Sequence, residues 1–184
     1  MTLSASLHCH PASPCPAVST LQATCTQVED GLQLRFVLRG DVQALRVPAG
    51  AQGGFADELW RHTCLEAFVG TTGATAYREF NFSPSGQWAA YAFTDYRQRD
   101  LGWQPVQAPQ ILTRTTPDSL ILEARIPATL LPAGAGLLHI GLTAVIETSD
   151  GAISYWALMH PGERPDFHLS AAFTLQCVLN TAQP

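Results

Sequence analysis

The chain contains no lysine. Its ten basic residues are all arginine, set against fifteen acids, for a formal net charge of −5. The arginines do not cluster, and the nearest approach to a patch, Arg97 and Arg99, is flanked by Asp95 and Asp100. A nucleic-acid backbone selects for a basic surface, so this balance argues against a nucleic-acid partner. No apolar run is long enough to span a bilayer as a helix. The opening stretch MTLSASLHCHPASPCP has no positive start and no sustained apolar core, so it does not read as a secretion signal. The expectation is a cytoplasmic protein without a membrane partner. Also missing are the nucleophile elbow, the phosphate-binding loop and the zinc-protease motif.

Five cysteines occur, at 9, 15, 25, 64 and 177. An odd count in a reducing compartment predicts free thiols. His8, Cys9, His10 and Cys15 lie close together, but their spacing matches no common zinc site. No segment holds a helical period over three turns; the best is one turn at PATLLPAG, ended by Pro132. Strand signals dominate instead. LQLRFVL alternates Leu32, Leu34, Phe36 and Leu38 with Gln33, Arg35 and Val37, and Asp30-Gly31 offers a hairpin turn back to residues 18–28. DVQALRVP reads as a short strand. ILTRTTPDSLILEARIP reads as a hairpin about Pro117-Asp118. LLHIGLTAVIE is nearly all apolar, which predicts burial on both faces. FTLQCVL closes the chain, with Phe173, Leu175, Cys177 and Leu179 in register. About ten or more short strands with Gly/Pro turns and no interleaved helices predict an all-β fold. The specific expectation is a two-sheet antiparallel β-sandwich or jelly roll, one domain over residues 1–184, with residues 1–15 loosely ordered.

Two segments carry the chemistry. Read with a period of two, His62, Cys64 and Glu66 share one side of LWRHTCLEAF, and Glu79 and Asn81 share one side of YREFNF. Leu65, Ala67 and Val69, then Phe80 and Phe82, occupy the opposite sides and must be core. The polar set is thereby free to meet a small molecule on a sheet face. Carboxylates and amides pair with sugar hydroxyls, and rings stack on the apolar faces of sugars. The candidate ligand-binding residues are Trp60, His62, Glu66, Glu79, Asn81, Trp88, Arg97 and Trp103, with no catalytic or metal-ligating residue assigned. Glu66 and Glu79 could also meet the two-carboxyl requirement of glycoside hydrolysis if their strands were neighbours. The loop HPGERPDFH, with His160, Arg164, Asp166 and His168 around two prolines, is the most unusual connection.

Longer phrases carry a family likeness: ELWRHTCLEAFVG, YREFNFSPSGQWAAYAFTDYR and YWALMHPGERPDFH, preceded by HPASPCPAV, LQLRFVLRGD and LRVP. Together they resemble the bacterial DOMON-like proteins related to type 9 carbohydrate-binding modules, over about residues 10–178. The resemblance implies a β-sandwich of ten or more strands that binds sugar or haem at one sheet. It places Glu66 at an acidic position of the sugar-binding branch and matches Asn81, Ser83 and Gly86 to a strand-turn. The chain departs from that branch in having His62 and Thr63 where another acid is expected, which counts against a calcium site or a copied sugar contact there. For haem, Met159 and His160 are adjacent and face opposite sides of a strand, so His62, His160 or His168 would have to complete an axial pair with Met159. The resulting expectation is a non-catalytic module for a carbohydrate or sugar-like metabolite, with a haem or redox module, or a protein-interaction subunit, as alternatives.

Overall fold

The structure, a computed structural model, describes residues 1–50, 53–133 and 136–178. Twelve strands follow one another: β1 (Thr2–Cys9), β2 (Val18–Val28), β3 (Gly31–Gly40), β4 (Cys64–Thr71), β5 (Tyr77–Phe82), β6 (Trp88–Asp95), β7 (Gln98–Arg99), β8 (Gln110–Thr115), β9 (Ser119–Pro127), β10 (Leu137–Glu147), β11 (Ile153–Ala157) and β12 (Leu175–Val178). The described helical content is four 3₁₀ turns of three residues each. One layer has the order β1-β2-β3-β9-β8. The other has the order β7-β6-β5-β4-β10-β11, with β12 on the first part of β10. Every named strand pair is antiparallel. β1 belongs to both layers: Thr2 to Leu7 pair with β2, while His8 and Cys9 pair with Ala157 and Trp156 of β11.

Period-two alternation sorts the side chains. Leu32, Leu34, Phe36 and Leu38 of β3 and Leu120, Leu122, Ala124 and Ile126 of β9 form the inner face of the first layer. They meet Leu65, Ala67 and Val69 of β4, Phe80 and Phe82 of β5, and the even-numbered apolar residues 138–146 of β10, in one continuous core. Each large side chain buried there contributes about 1.5–3 kcal/mol by leaving water. The expected sandwich of ten or more strands is what forms. The hairpin at Asp30-Gly31 also forms: Gly31 has φ +148°, and a Cβ on it would lie 2.0 Å from the Ile126 carbonyl oxygen, so glycine is required there.

Three local expectations differ from the structure. Residues 2–9 are a paired strand rather than loose chain, because Leu3, Ala5 and Leu7 supply a period-two inner face. DVQALRVP forms a 3₁₀ turn at Val42–Ala44 and a single bridge from Leu45 to Thr148 instead of a strand; its one well-buried pair, Val42 and Leu45, is spaced for a turn. Leu179, expected in register with β12, lies outside the described residues.

The outer face of the second layer does not lie open to solvent. Phe68, Tyr77, Ala89, Tyr91, Phe93 and Phe173 form a second buried cluster there, with Leu59 and Phe167 against it. The chain around 55–60 and the loop 160–170 roof this face. β4 is therefore buried on both sides through Gly70.

Candidate functional site

Cross-strand register assembles the site. Glu66 of β4 lies opposite Asn81 of β5 and Thr143 of β10; Glu79 lies opposite Phe68 of β4 and Tyr91 of β6. All of these project from the outer face of the second layer. Glu66 and Glu79 are thus diagonal neighbours on adjacent strands, about 7–8 Å apart at Cα. They sit on the floor of a cleft of about 660 Å³, within the size range of small-molecule sites. Its walls carry Phe68, Tyr91, Phe93, Tyr155 and Phe167, with Trp60 at the edge. Asp57, Glu58, Arg97, Arg99 and Arg164 bring charge to the lining, and His168 completes the roof side.

Each floor carboxyl is anchored through one oxygen. The Thr143 hydroxyl donates to Glu66 Oε2 at 2.9 Å, and the Asn81 amide donates to Glu79 Oε1 at 2.7 Å. Glu66 Oε1 has no hydrogen-bond partner among the described residues. The nearest basic atom to Glu79 Oε2 is His168 Nε2 at 3.8 Å, beyond hydrogen-bond range. Glu66 is 2% exposed and Glu79 5%. Burial disfavours the charged form of both, and at Glu66 repulsion from Glu79 adds to it, so both are held above the usual carboxylate range, Glu66 to about 8 and Glu79 to about 7. The Thr143 and Asn81 bonds, and the charges of Arg99 and Arg97 near Glu79, act in the opposite direction.

A hydrogen-bond chain fixes the roof side. The Arg97 backbone N–H donates to Tyr77 Oη at 3.2 Å, and the Tyr77 hydroxyl lies 2.7 Å from His168 Nδ1. With Tyr77 donating, Nδ1 is the acceptor and Nε2 carries the proton toward Glu79. Burial, reinforced by the charge of Arg97, depresses His168 to about 4 despite Asp166, so the ring is neutral at ordinary pH. Arg97 has φ 53°, a left-handed conformation uncommon for a side-chain-bearing residue. Its guanidinium is committed to Asp166 at 2.9 Å and to the Tyr96 hydroxyl at 3.3 Å. Tyr96 in turn donates to Asp166 at 2.5 Å. These contacts tie the turn after β6 to loop 160–170 and close one end of the roof.

Of the eight residues singled out from sequence, Trp60, Glu66, Glu79 and Arg97 line the cleft. Asn81 is fully buried beneath it and acts through Glu79. His62 lies outside the lining: its Nδ1 pairs with Glu147 Oε2 at 2.7 Å, where Arg46 also binds Glu147 at 2.8 Å. Trp88 and Trp103 are on the wrong face. Trp88 lies opposite Phe82 and therefore points to the core side, where it packs against the main core. Trp103 covers Arg78, whose guanidinium lies 4.6 Å from the indole centroid, also on the inner side of β5. The register holds the missing signal: once Phe82 is core and the turn at Pro84–Gly86 closes a hairpin, Trp88 must share its face. The same parity places Tyr91 and Phe93 beside Glu79 and Tyr77, and neither was singled out. His168 and Arg164 came from the unusual proline-bounded loop, which serves as the roof.

An axially ligated haem does not fit this lining. It contains one imidazole, already bonded to Tyr77, and no methionine; Met159 lies elsewhere, 41% exposed. Among the described residues, no group of three or more His, Cys, Asp or Glu is arranged to hold a metal ion. The His8–Cys15 segment instead has Cys9 bonded to the Ser13 carbonyl, with His10 against His160.

No protein-family model matches the chain, and no curated protein matches it. Solved structures do. A Bacteroides uniformis protein designated a candidate carbohydrate-binding protein aligns with TM-score 0.63 at 15% identity, over 94% of this chain and 84% of that one. A family 9 carbohydrate-binding module from Caldicellulosiruptor kristjanssonii aligns in its glucose complex with TM-score 0.50 at 10% identity, over 83% of this chain and 74% of that one. Its cellotriose complex gives the same score and identity, over 83% and 72%. At these identities the likeness establishes the fold: the chain has the β-sandwich architecture seen in type 9 carbohydrate-binding modules.

Proposed function

We propose that the protein is a non-catalytic module that binds a carbohydrate or sugar-like metabolite in the cleft on the second layer. One observation carries the reading. Two nearly buried carboxyls on a single sheet face each keep one oxygen unbonded, beneath a wall of aromatic rings. Neither oxygen is among the sealed polar atoms of the described residues, so each opens to the cleft and marks a hydrogen-bonding position for a ligand. Glu66 and Glu79 bond ring substituents, and Trp60 stacks at the edge. The fold shared with modules solved with glucose and cellotriose supports this reading. A closer kinship with the bacterial DOMON-like branch, drawn from the sequence phrases, belongs to the same proposal. So does cytoplasmic location, supported by five free thiols.

Thermal-shift and calorimetric titration with mono- and oligosaccharides test the proposal, because any ligand of the native state raises its apparent stability. Glu79→Gln should weaken sugar binding about tenfold or more, equivalent to ~1.4 kcal/mol. No turnover of aryl glycosides is expected. A Glu79→Gln protein that folds and binds as the wild type does would remove the cleft from the account, and measurable hydrolysis would overturn the non-catalytic part.

A further inference from the structure

We propose that the sugar taken by this cleft carries a protonated amine, and that Glu66 and Glu79 receive it together. The inference rests on the carbohydrate reading and narrows it to a class. No basic side chain hydrogen-bonds either floor acid, although the charges of Arg99 and Arg97 reach Glu79. Arg97 is occupied by Asp166 and Tyr96. Arg99 lies over the Tyr91 ring, 4.1 Å from its centroid, and 3.9 Å from Asp57. Arg164 is on the exposed rim. His168 is neutral and out of bonding range.

A buried carboxylate without a partner is costly unless it takes up a proton or meets a cation. An ammonium group brings three donors and a positive charge, so it can bond Glu66 Oε1 and Glu79 Oε2 at once. A hydroxyl brings one donor and leaves the charge uncompensated. The wall adds to this in one place: Phe167 brings an aromatic ring to the lining, and ring faces attract cations, most strongly where water is excluded, whereas the Tyr91 face is already covered by Arg99 and Phe93 is stacked on Tyr77. An anionic sugar would find Arg164 at the rim but meet two acids at the floor. In the empty cleft the two carboxyls retain a proton between them; a bound ammonium favours their ionised forms, so that proton is released to solvent on binding.

The test is isothermal titration of the full chain with glucosamine, N-acetylglucosamine and glucose, and with their β-1,4 oligomers. Each is measured near neutral pH in two buffers of different ionisation heat. The amine-bearing sugars should bind about tenfold or more tightly than the neutral ones, with heats that differ between buffers as a proton is released. Glu66→Gln should abolish that preference, and the buffer dependence of the wild type is an independent readout should that variant fold poorly. Equal or tighter binding of glucose or N-acetylglucosamine, or buffer-independent heats for glucosamine, would overturn the amine assignment while leaving a sugar site in place. Binding of no sugar at all would overturn the carbohydrate reading itself.

Discussion

Replacing Glu66 by glutamine tests the electrostatics of the cleft floor without altering its shape. In the unfolded chain both floor acids titrate near 4.5, whereas in the folded protein Glu66 titrates at about 8 and Glu79 at about 7. The folded state therefore holds protons that the unfolded state has released. Stability is highest below the unfolded value and declines as pH rises toward the folded values. His168 works in the opposite sense: it falls from 6.5 to about 4 on folding, so it adds stability as pH rises to about 6.5 and offsets part of the decline. Above pH 6.5 the acids dominate, and the buried thiols, raised above 9.0 by folding, add to the decline only as pH nears that value. Each retained proton then contributes a slope of about 1.4 kcal/mol per pH unit, giving a loss of about 2–3 kcal/mol by pH 8. That is a large part of a total stability on the order of 5–15 kcal/mol. Urea unfolding at pH steps between about 5 and 8.5 measures it. The wild type should lose stability above pH 6.5. Glu66→Gln should show a much flatter profile and be clearly more stable than the wild type at pH 8. A wild-type stability that is level or rising across that interval would mean that both carboxyls are ionised and hydrated, and the uncompensated floor would have to be abandoned.

Trp88→Ala should destabilise the fold by about 2 kcal/mol, roughly half the value for a fully buried ring, with little effect on ligand affinity, as followed by urea unfolding and titration of the folded variant. Trp60→Ala should do the reverse, leaving the melting temperature within about 2 °C while weakening sugar binding, because its ring is 46% exposed at the cleft edge. Gly31→Ala should be among the most damaging single changes: the added carbon meets the Ile126 carbonyl at 2.0 Å and the φ of +148° is strained for alanine. Its expected cost is about 3 kcal/mol or more, read from the shift in unfolding midpoint, and a near-neutral result would show that the β2–β3 turn relaxes freely.

What alternation dictates was readable from the letters alone. Leu32 to Leu38, Leu65 to Val69 and the run 137–147 are core because their spacing permits nothing else, and Glu66 and Glu79 share a face for the same reason. The tryptophans were misplaced because ring size suggests a stacking surface, while position relative to a hairpin partner decides the face. The roof was the harder part. Whether an outer sheet face meets water depends on where a distant loop folds, and nothing within residues 64–82 encodes that Phe167 and His168 will lie over them. Burial in turn sets the chemistry, since two glutamates on an open sheet would keep ordinary acidities.

The strand that belongs to both layers also constrains how the protein can be made. Cys9 must find Trp156, which the ribosome delivers roughly 150 residues later. At about 5–20 residues per second that is a wait of about 7–30 s. Until then the two layers have no common strand along this edge, and the His8–Cys9 end of β1 lacks its partner and is able to pair with a strand from another chain. Slow, late closure is the kinetic signature of such long-range pairing. Crowded synthesis at high expression should therefore favour exchange of the first strand between neighbouring copies.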